Sequence, residues 1–382
     1  MADERASLRA LLLYFLRLGT LGFGGPIALA GHMEQDLVEQ RGWISAREYK
    51  EGLAFAQLAP GPLAAQLAIY LGWVRGRVLG ATLSGIAFVA PSFLMVLGLS
   101  ELYVRFGGLP WMQGLFYGIG AAVIAIIARS ALKLVRVTLG RDRLLWILFA
   151  VSALVTAWTE SEIIWVFLVC GLVPMLLRGR QAPATSALAF LPTAPGLAAG
   201  LGGPASVGVL WKIFVYFTGA SLFVFGSGLA IVPFLYGGVV QQFHWLSERQ
   251  FIDAVAVSMI TPGPVVITVA FIGYLVAGLA GATLAAIGVF LPVYLITIFL
   301  APHFHRVAKN QQVKAFVDGV TAAATGAIAG AAVILGRRAL MDGPTILIAL
   351  VTLALLLVPK KFPEPVLILA AGIVGLVLKG TW

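Results

Sequence analysis

Ala56-Gln57-Leu58-Ala59-Pro60-Gly61-Pro62 decides how this chain folds, because its last three residues return 202 positions later within Thr261-Pro262-Gly263-Pro264-Val265-Val266. Proline and glycine are the poorest helix formers, yet each triplet interrupts a long apolar run. A helix broken at the same place in two halves of a membrane protein points to a transport site.

The echo extends well beyond the triplets. At the same offset Tyr14-Phe15 matches Tyr216-Phe217, Phe23-Gly24 matches Phe225-Gly226, and Trp43, Ser45 and Arg47 match Trp245, Ser247 and Arg249. Glu51 faces Asp253. One residue then drops out, and Gly80-Ala81-Thr82-Leu83 matches Gly281-Ala282-Thr283-Leu284, Pro91 matches Pro292 and Gly118 matches Gly319. The chain therefore reads as two structural halves of one transmembrane domain: 1–178, 209–382 and an uncharged Pro/Gly/Ala-rich connector, 179–208.

Composition sets the solvent. Of the 382 residues 60% are hydrophobic and only 11% charged, against roughly 25% charged in soluble domains. This is an all-α polytopic membrane protein with the lipid bilayer as its surroundings. The net charge of +10 comes from basic residues at segment ends, with no stripe and no interleaved aromatics. No nucleic-acid partner is expected, since Lys- and Arg-rich cytoplasmic loops account for the excess. The single cysteine, Cys170, excludes an intrachain disulfide. No metal cluster and no cofactor motif is visible, His303 and His305 being the only histidines close in sequence. The N-terminal run resembles a signal peptide, but Arg17 falls inside it and 216–230 repeats it, so it reads as the first membrane helix.

In half one the pattern predicts a helix at 8–30, an interfacial amphipathic stretch at 31–45, a broken segment at 46–74, and helices at 77–100, 113–134, 144–158 and 162–177. Half two repeats this at 209–232, 248–276, 279–301, 313–335, 344–358 and 363–379, giving about 12–13 membrane segments. If each broken segment crosses once and the N-terminus is cytoplasmic, Arg75 and Arg77, Arg136, Arg141 and Arg143, and Arg178 and Arg180 all fall inside. In half two Arg306, Lys309, Lys360 and Lys361 also belong inside, so the halves want opposite orientations. That requires an odd number of crossings between them. Residues 181–211, uncharged and carrying four prolines, offer a place for a thirteenth. A cytoplasmic linker with parallel halves is the alternative. Arg337-Arg338 would lie outside in the inverted arrangement and so counts against it.

A helix broken in hydrocarbon frees N–H groups that must be buried in protein or line a wet cavity. With Gly61 as cap and Pro62 opening the next half-helix, Leu63 and Ala64 offer N–H groups at a positive dipole end. Gly263, Pro264, Val265 and Val266 repeat this. An in-plane pseudo-twofold axis would bring the two ends together into a site for an anion, with Gly24-Gly25-Pro26 and Gly226-Ser227-Gly228 adding backbone. Gln57, Gln66, Ser227, Ser258, Thr261 and Thr268 could bond oxygen atoms. The alternative is a pair of kinks needed only for packing. Glu51 and Asp253 are candidates for proton coupling or simple interfacial caps. Asp318 and Arg17 are further gating candidates.

The chain resembles the chromate ion transporter family in its long, two-domain form. The resemblance rests on Gly22-Phe23-Gly24-Gly25-Pro26, Arg41-Gly42-Trp43-Ile44-Ser45, the two triplet motifs, Gln66-Leu67-Ala68-Ile69-Tyr70-Leu71-Gly72-Trp73, Phe225-Gly226-Ser227-Gly228 and Phe271-Ile272-Gly273-Tyr274-Leu275. It implies export of chromate from the bacterial cytoplasm across the inner membrane, conferring resistance, with sulfate as a similar dianion. It also implies two oppositely inserted halves. Where such chains often carry Gln before the second triplet, this one has Met259 opposite Gln57. Secondary transport by rocking of the repeats is the expected mechanism, because no phosphate-binding loop is present. Oxyanion uptake or exchange, an anion channel and an intramembrane enzyme are the competing readings, the last lacking a catalytic His or Cys. A homodimer is the expectation from the transporter class alone.

Overall fold

In the computed structural model, residues 7–106, 109–159, 164–178, 207–225, 228–304, 310–358 and 362–379 are described, and among them every regular element is helical. Half one comprises α1 (Leu8–Leu21), α2 (Gly25–Glu34, continued by a π-helical turn, Gln35–Gln40), α3 (Ala46–Leu58), α4 (Leu63–Phe106), α5 (Pro110–Thr138), α6 (Arg143–Thr159) and α7 (Ile164–Arg178). Half two comprises α8 (Val207–Ser221), α9 (Ile231–Leu235, continued as Tyr236–Gln242), α10 (Glu248–Ile260), α11 (Thr268–Leu300), α12 (Gln311–Ala339), α13 (Gly343–Leu357) and α14 (Glu364–Lys379). The same capping box opens α3 and α10. The Ser45 hydroxyl accepts from the Glu48 N–H while the Glu48 carboxylate takes the Ser45 N–H, and Ser247 with Gln250 repeats the pair.

The broken segments turn back instead of crossing. Phe55 precedes the first triplet and Tyr70 follows it, yet their rings stack 5.4 Å apart. A Cβ on Gly52 would lie 2.5 Å from the Tyr70 ring. The limbs thus run antiparallel, side by side. A limb of 13 residues is about 20 Å long, short of the roughly 30 Å hydrocarbon core. The first expected helix, 8–30, also folds back at Gly24 and Gly25, whose φ values are 108° and 75°. Arg41, at the end of its return limb, stacks over Tyr14 at 5.8 Å. In half two Tyr216 of α8 donates to the Phe234 carbonyl of α9. The expectations of single crossings are therefore overturned, and residues 31–40 of the amphipathic stretch form the end of a return limb. Two crossings become two hairpins, which preserves the parity and leaves the side assigned to Arg75 and Arg77 unchanged.

The outer limb of each triplet hairpin bends sharply into a long helix. α4 breaks at Gly76-Arg77 and α11 at Ala277-Gly278, with the same dihedral pattern. Gly72 and Gly80 then pack backbone to backbone, as do Gly273 and Gly281. The long limbs, 78–106 and 279–300, lie antiparallel. Thr82 meets Tyr294 at 2.7 Å near the start of one and the end of the other, and Tyr274 bonds Glu101 at the opposite end. Tyr117, early in α5, donates to Asp342 just past α12 at 2.6 Å. That bond and the Thr345 N–H hold the Asp342 carboxyl down to about 2. Gly118 abuts Ala371 of α14, and its counterpart Gly319 abuts Cys170 of α7. The halves are inverted and interlocked, each lending its last helix to the other's fifth helix.

Large apolar side chains cover the exterior, Leu154 and Trp158 being 71% and 89% exposed, as a lipid-facing surface requires. Arg47, Lys50, Arg75, Arg77, Arg136 and Lys314 gather at one end of the bundle, here called the basic face. Arg337 and Arg338 lie at the other. Arg338 is neutralised there by Glu248 and stacks over Tyr236 at 5.6 Å, which removes its weight against the inversion. Arg178 ends α7 at the basic face, whereas Val207 begins α8 at the opposite one, beside Leu284. The expected connector, 179–208, lies almost wholly outside the described residues.

Candidate functional site

All four hairpin tips meet in the middle of the bundle, and they hold one another by reciprocal backbone bonds. The Gly61 N–H donates to the Val224 carbonyl at 2.7 Å, and the Gly263 N–H donates to the Gly22 carbonyl at 2.8 Å. Each triplet of one half is thus sewn to the first hairpin of the other. Gly61 and Gly263 have φ of 136° and 96°, a region that L side chains avoid. A Cβ on Gly61 would lie 2.8 Å from Val293, and one on Gly263 would strike Ser92. Ser92 and Val293 are themselves equivalent, each following a matched proline, Pro91 or Pro292. A Cβ on Gly228 would rest 3.7 Å from Pro26 and from Val265, so the glycine-rich tips close the ring.

The amide at Gly61 is therefore engaged, and the first helical residue is Leu63, one later than the sequence pattern placed it, with Gln66 N–H bonding the Pro62 carbonyl at 3.0 Å. Among the described residues no acceptor takes the N–H of Leu63 or Ala64. The same holds for Val265 and Val266, whereas the Ile267 N–H bonds Pro264. Two pairs of amides at the positive ends of two half-helices are left next to the tip junction. Gln66 is fully buried beside them. Its side-chain nitrogen donates to the Pro60 carbonyl at 3.3 Å, and its oxygen has no partner among the described residues.

The remaining sequence candidates divide sharply. Gln57 is exposed on α3, and its counterpart Met259 is buried on α10. Thr261, Ser258 and Thr268 are buried with their hydroxyls bonded to carbonyls of their own turn, so they face inward. Glu51 is held by Arg47 at 2.9 Å near the basic face. Asp253 is 4% exposed and accepts from Tyr103 at 2.7 Å. Asp318 is half-buried on α12 and Arg17 is exposed on α1, and neither belongs to the tip junction. Gly226 and Ser227 lie outside the described residues. Sequence reading missed Gly22, Val224, Ser92 and Val293 as tip partners. Adjacency to the repeated Pro91 and Pro292 was the available signal for the last two. Tyr103 carried no signal at all, since its role exists only across helices.

These features define a polytopic membrane protein of two inverted repeats whose broken hairpins meet at mid-bundle, the architecture of a transporter. The sequence profile described as "Chromate transporter" matches residues 9–175 and 211–376, one copy per half. The chain belongs to the chromate transporter family. It is 59% identical to the chromate transport protein of Cupriavidus metallidurans, over 97% of this chain and 93% of that one. It is 54% identical to a probable chromate transport protein of Synechococcus elongatus, over 97% and 95%, and 32% identical to the chromate transport protein of Pseudomonas aeruginosa, over 94% and 90%. No solved structure matches.

Proposed function

We propose that this protein carries chromate out of the bacterial cytoplasm across the inner membrane as a secondary transporter, with the basic face and the N-terminus cytoplasmic. The observation that carries the reading is the tip junction: two half-helix ends with unengaged amides, each triplet bonded to the first hairpin of the other half. Such ends favour a small anion by dipole and by hydrogen bonding. Leu63, Ala64, Val265 and Val266 supply amides. Gln66 and Gln57 supply side-chain donors, Gln57 at the approach from the basic face. Gly24, Gly25, Pro26 and Gly228 shape the wall. A tetrahedral dianion suits amides converging from two directions, and the relatives named for chromate supply its identity.

Outward movement of two negative charges gains about 4.6 kcal/mol at 100 mV, negative inside, equivalent to a few-thousandfold concentration ratio. Proton exchange through Asp253 or Glu51 would add to this drive. Chromate-loaded vesicles with an imposed potassium diffusion potential test the proposal. Efflux should accelerate when the chromate-containing side is negative, and sulfate should compete. Flux indifferent to the potential overturns electrogenic export, and flux of other anions to the exclusion of chromate overturns the cargo.

A further inference from the structure

We propose that the Tyr103–Asp253 hydrogen bond is the latch of a gate at the face opposite the basic one, and that the matching gate at the basic face has none, because Phe304 stands where its tyrosine would be. The inference rests on the transporter reading but not on the identity of the cargo.

The repeat makes the comparison quantitative. Moving from half one to half two along the long helices, Tyr103 corresponds to Phe304, Phe116 to Val317 and Gly120 to Thr321. Along the hairpins, Glu51 corresponds to Asp253 and Lys50 to Ile252. In the structure the gate away from the basic face is closed. Tyr103 donates to Asp253 at 2.7 Å and packs edge-on against Phe116 and Phe271 at 5.3 and 5.2 Å. A Cβ on Gly120 would lie 3.3 Å from Ile252, and Arg249 donates to the Gln113 carbonyl at 3.2 Å. α10 consequently packs on α5, α12 and α14 as well as on α11.

At the basic face the counterpart is open. α3 packs chiefly on α4. Lys50 and Gln57 are exposed and Ala54 is half-buried. Phe304 rests edge-on against Phe55 at 5.3 Å, one turn from Glu51, with no hydroxyl to offer it. In an inverted repeat the second state is reached when the two halves exchange conformations. α10 then leaves α5 and α3 closes on α12, so Asp253 loses the Tyr103 hydroxyl while Glu51 meets the ring of Phe304, which has no hydroxyl to donate. The latch is an interaction present in one state alone, which is what biases a two-state equilibrium. Its single copy makes the conformer open to the basic face the resting one.

Two equivalent reporters read this directly. Ala54→Cys and Ala256→Cys, each with Cys170→Ala, are placed in vesicles and reacted with an impermeant maleimide from the basic and the opposite face. Tyr103→Phe should raise labelling at residue 256 about fivefold and lower it at residue 54. Phe304→Tyr, which offers Glu51 the missing hydroxyl, should do the same from the other gate, lowering labelling at residue 54 and raising it at residue 256. Opposite-signed changes at the two reporters support the latch. Unchanged labelling in both variants, or increases at both reporters together, overturns it, the latter because a merely loosened protein exposes both sites. If Tyr103→Phe does not fold, Phe304→Tyr alone decides by the same criterion. Labelling is measured without chromate, so failure of the cargo assignment would show in flux and leave this result standing.

Discussion

Lys50, Ala54 and Gln57 form one face of α3, and Ile252, Ala256 and Met259 form the same face of α10. The first is polar and open. The second is apolar and sealed, with Ile252 at 8% and Met259 at 9% exposure. The two helices share a capping box, a length and a triplet, so the fold treats them alike. The difference lies in the residues that meet water in one conformer and protein in the other. An inverted pair with identical gates would have no preferred state, and about 1.4 kcal/mol of asymmetry already gives a tenfold preference. The gate faces differ in chemistry, while both tips keep a Pro-Gly-Pro triplet with its glycine at positive φ.

The largest expected effect tests that equivalence. Gly263→Ala drives a Cβ into Ser92 and to 3.4 Å from the Gly19 carbonyl, at a φ of 96°. Gly61→Ala meets the two methyls of Val293 instead. Backbone strain alone costs about 1–3 kcal/mol, and the clash at residue 263 comes on top. Chromate efflux should fall at least about a hundredfold in Gly263→Ala, roughly 2.7 kcal/mol, and less in Gly61→Ala. Adding Ser92→Gly should restore part of the loss in the first and none in the second. Wild-type efflux from a normally inserted Gly263→Ala protein would mean the tips do not have to touch.

Next in size is an exchange across the two faces. Met259→Gln buries an amide where α10 is dry, a cost of about 1–3 kcal/mol for the unpartnered group. It should lower the thermal midpoint in detergent by several degrees. Gln57→Met changes an exposed position, so stability should hold. The half-saturation concentration for chromate should rise about tenfold, about 1.4 kcal/mol of lost binding. If Gln57→Met instead destabilises the protein and leaves transport affinity untouched, the α3 face is structural and the comparison with α10 fails.

The repeat, the helical class, the break at each triplet and the inversion were legible from residues alone, because proline, glycine and basic-loop signals act locally or through simple parity. The turning back of each broken segment was not. A limb of about 13 residues after Gly61-Pro62 looks the same whether it continues onward or returns, and contacts such as the Phe55–Tyr70 stack and the Gly52–Tyr70 approach distinguish the two. The site was half legible. Glycine at 61 and 263 signalled a special backbone conformation, but the acceptors Val224 and Gly22 carry no side-chain code for a backbone bond. Tyr103 facing Asp253 spans 150 positions and has no echo in half two, where the matching residue is Phe304.

The smallest effect concerns the bends after the triplet hairpins. Arg77 and Gly278 are equivalent and share one conformation, φ 50° with ψ −137° and φ 60° with ψ −151°. Glycine adopts this freely and arginine does not. Arg77 is partly compensated because its guanidinium stacks over Trp73 at 4.7 Å, a contact worth about 0.5–1 kcal/mol at an exposed site. Arg77→Gly should therefore stabilise by at most about 2 kcal/mol, since relief of strain of about 1–3 kcal/mol is set against the lost stack. Gly278→Arg should cost about 1–3 kcal/mol, because Tyr274 stands where Trp73 does and is already bonded to Glu101. Paired thermal melts in detergent read both signs. A loss of stability in Arg77→Gly would show that the stack outweighs the strain, so that the basic-face bend is held by its side chain and the opposite bend by backbone freedom alone.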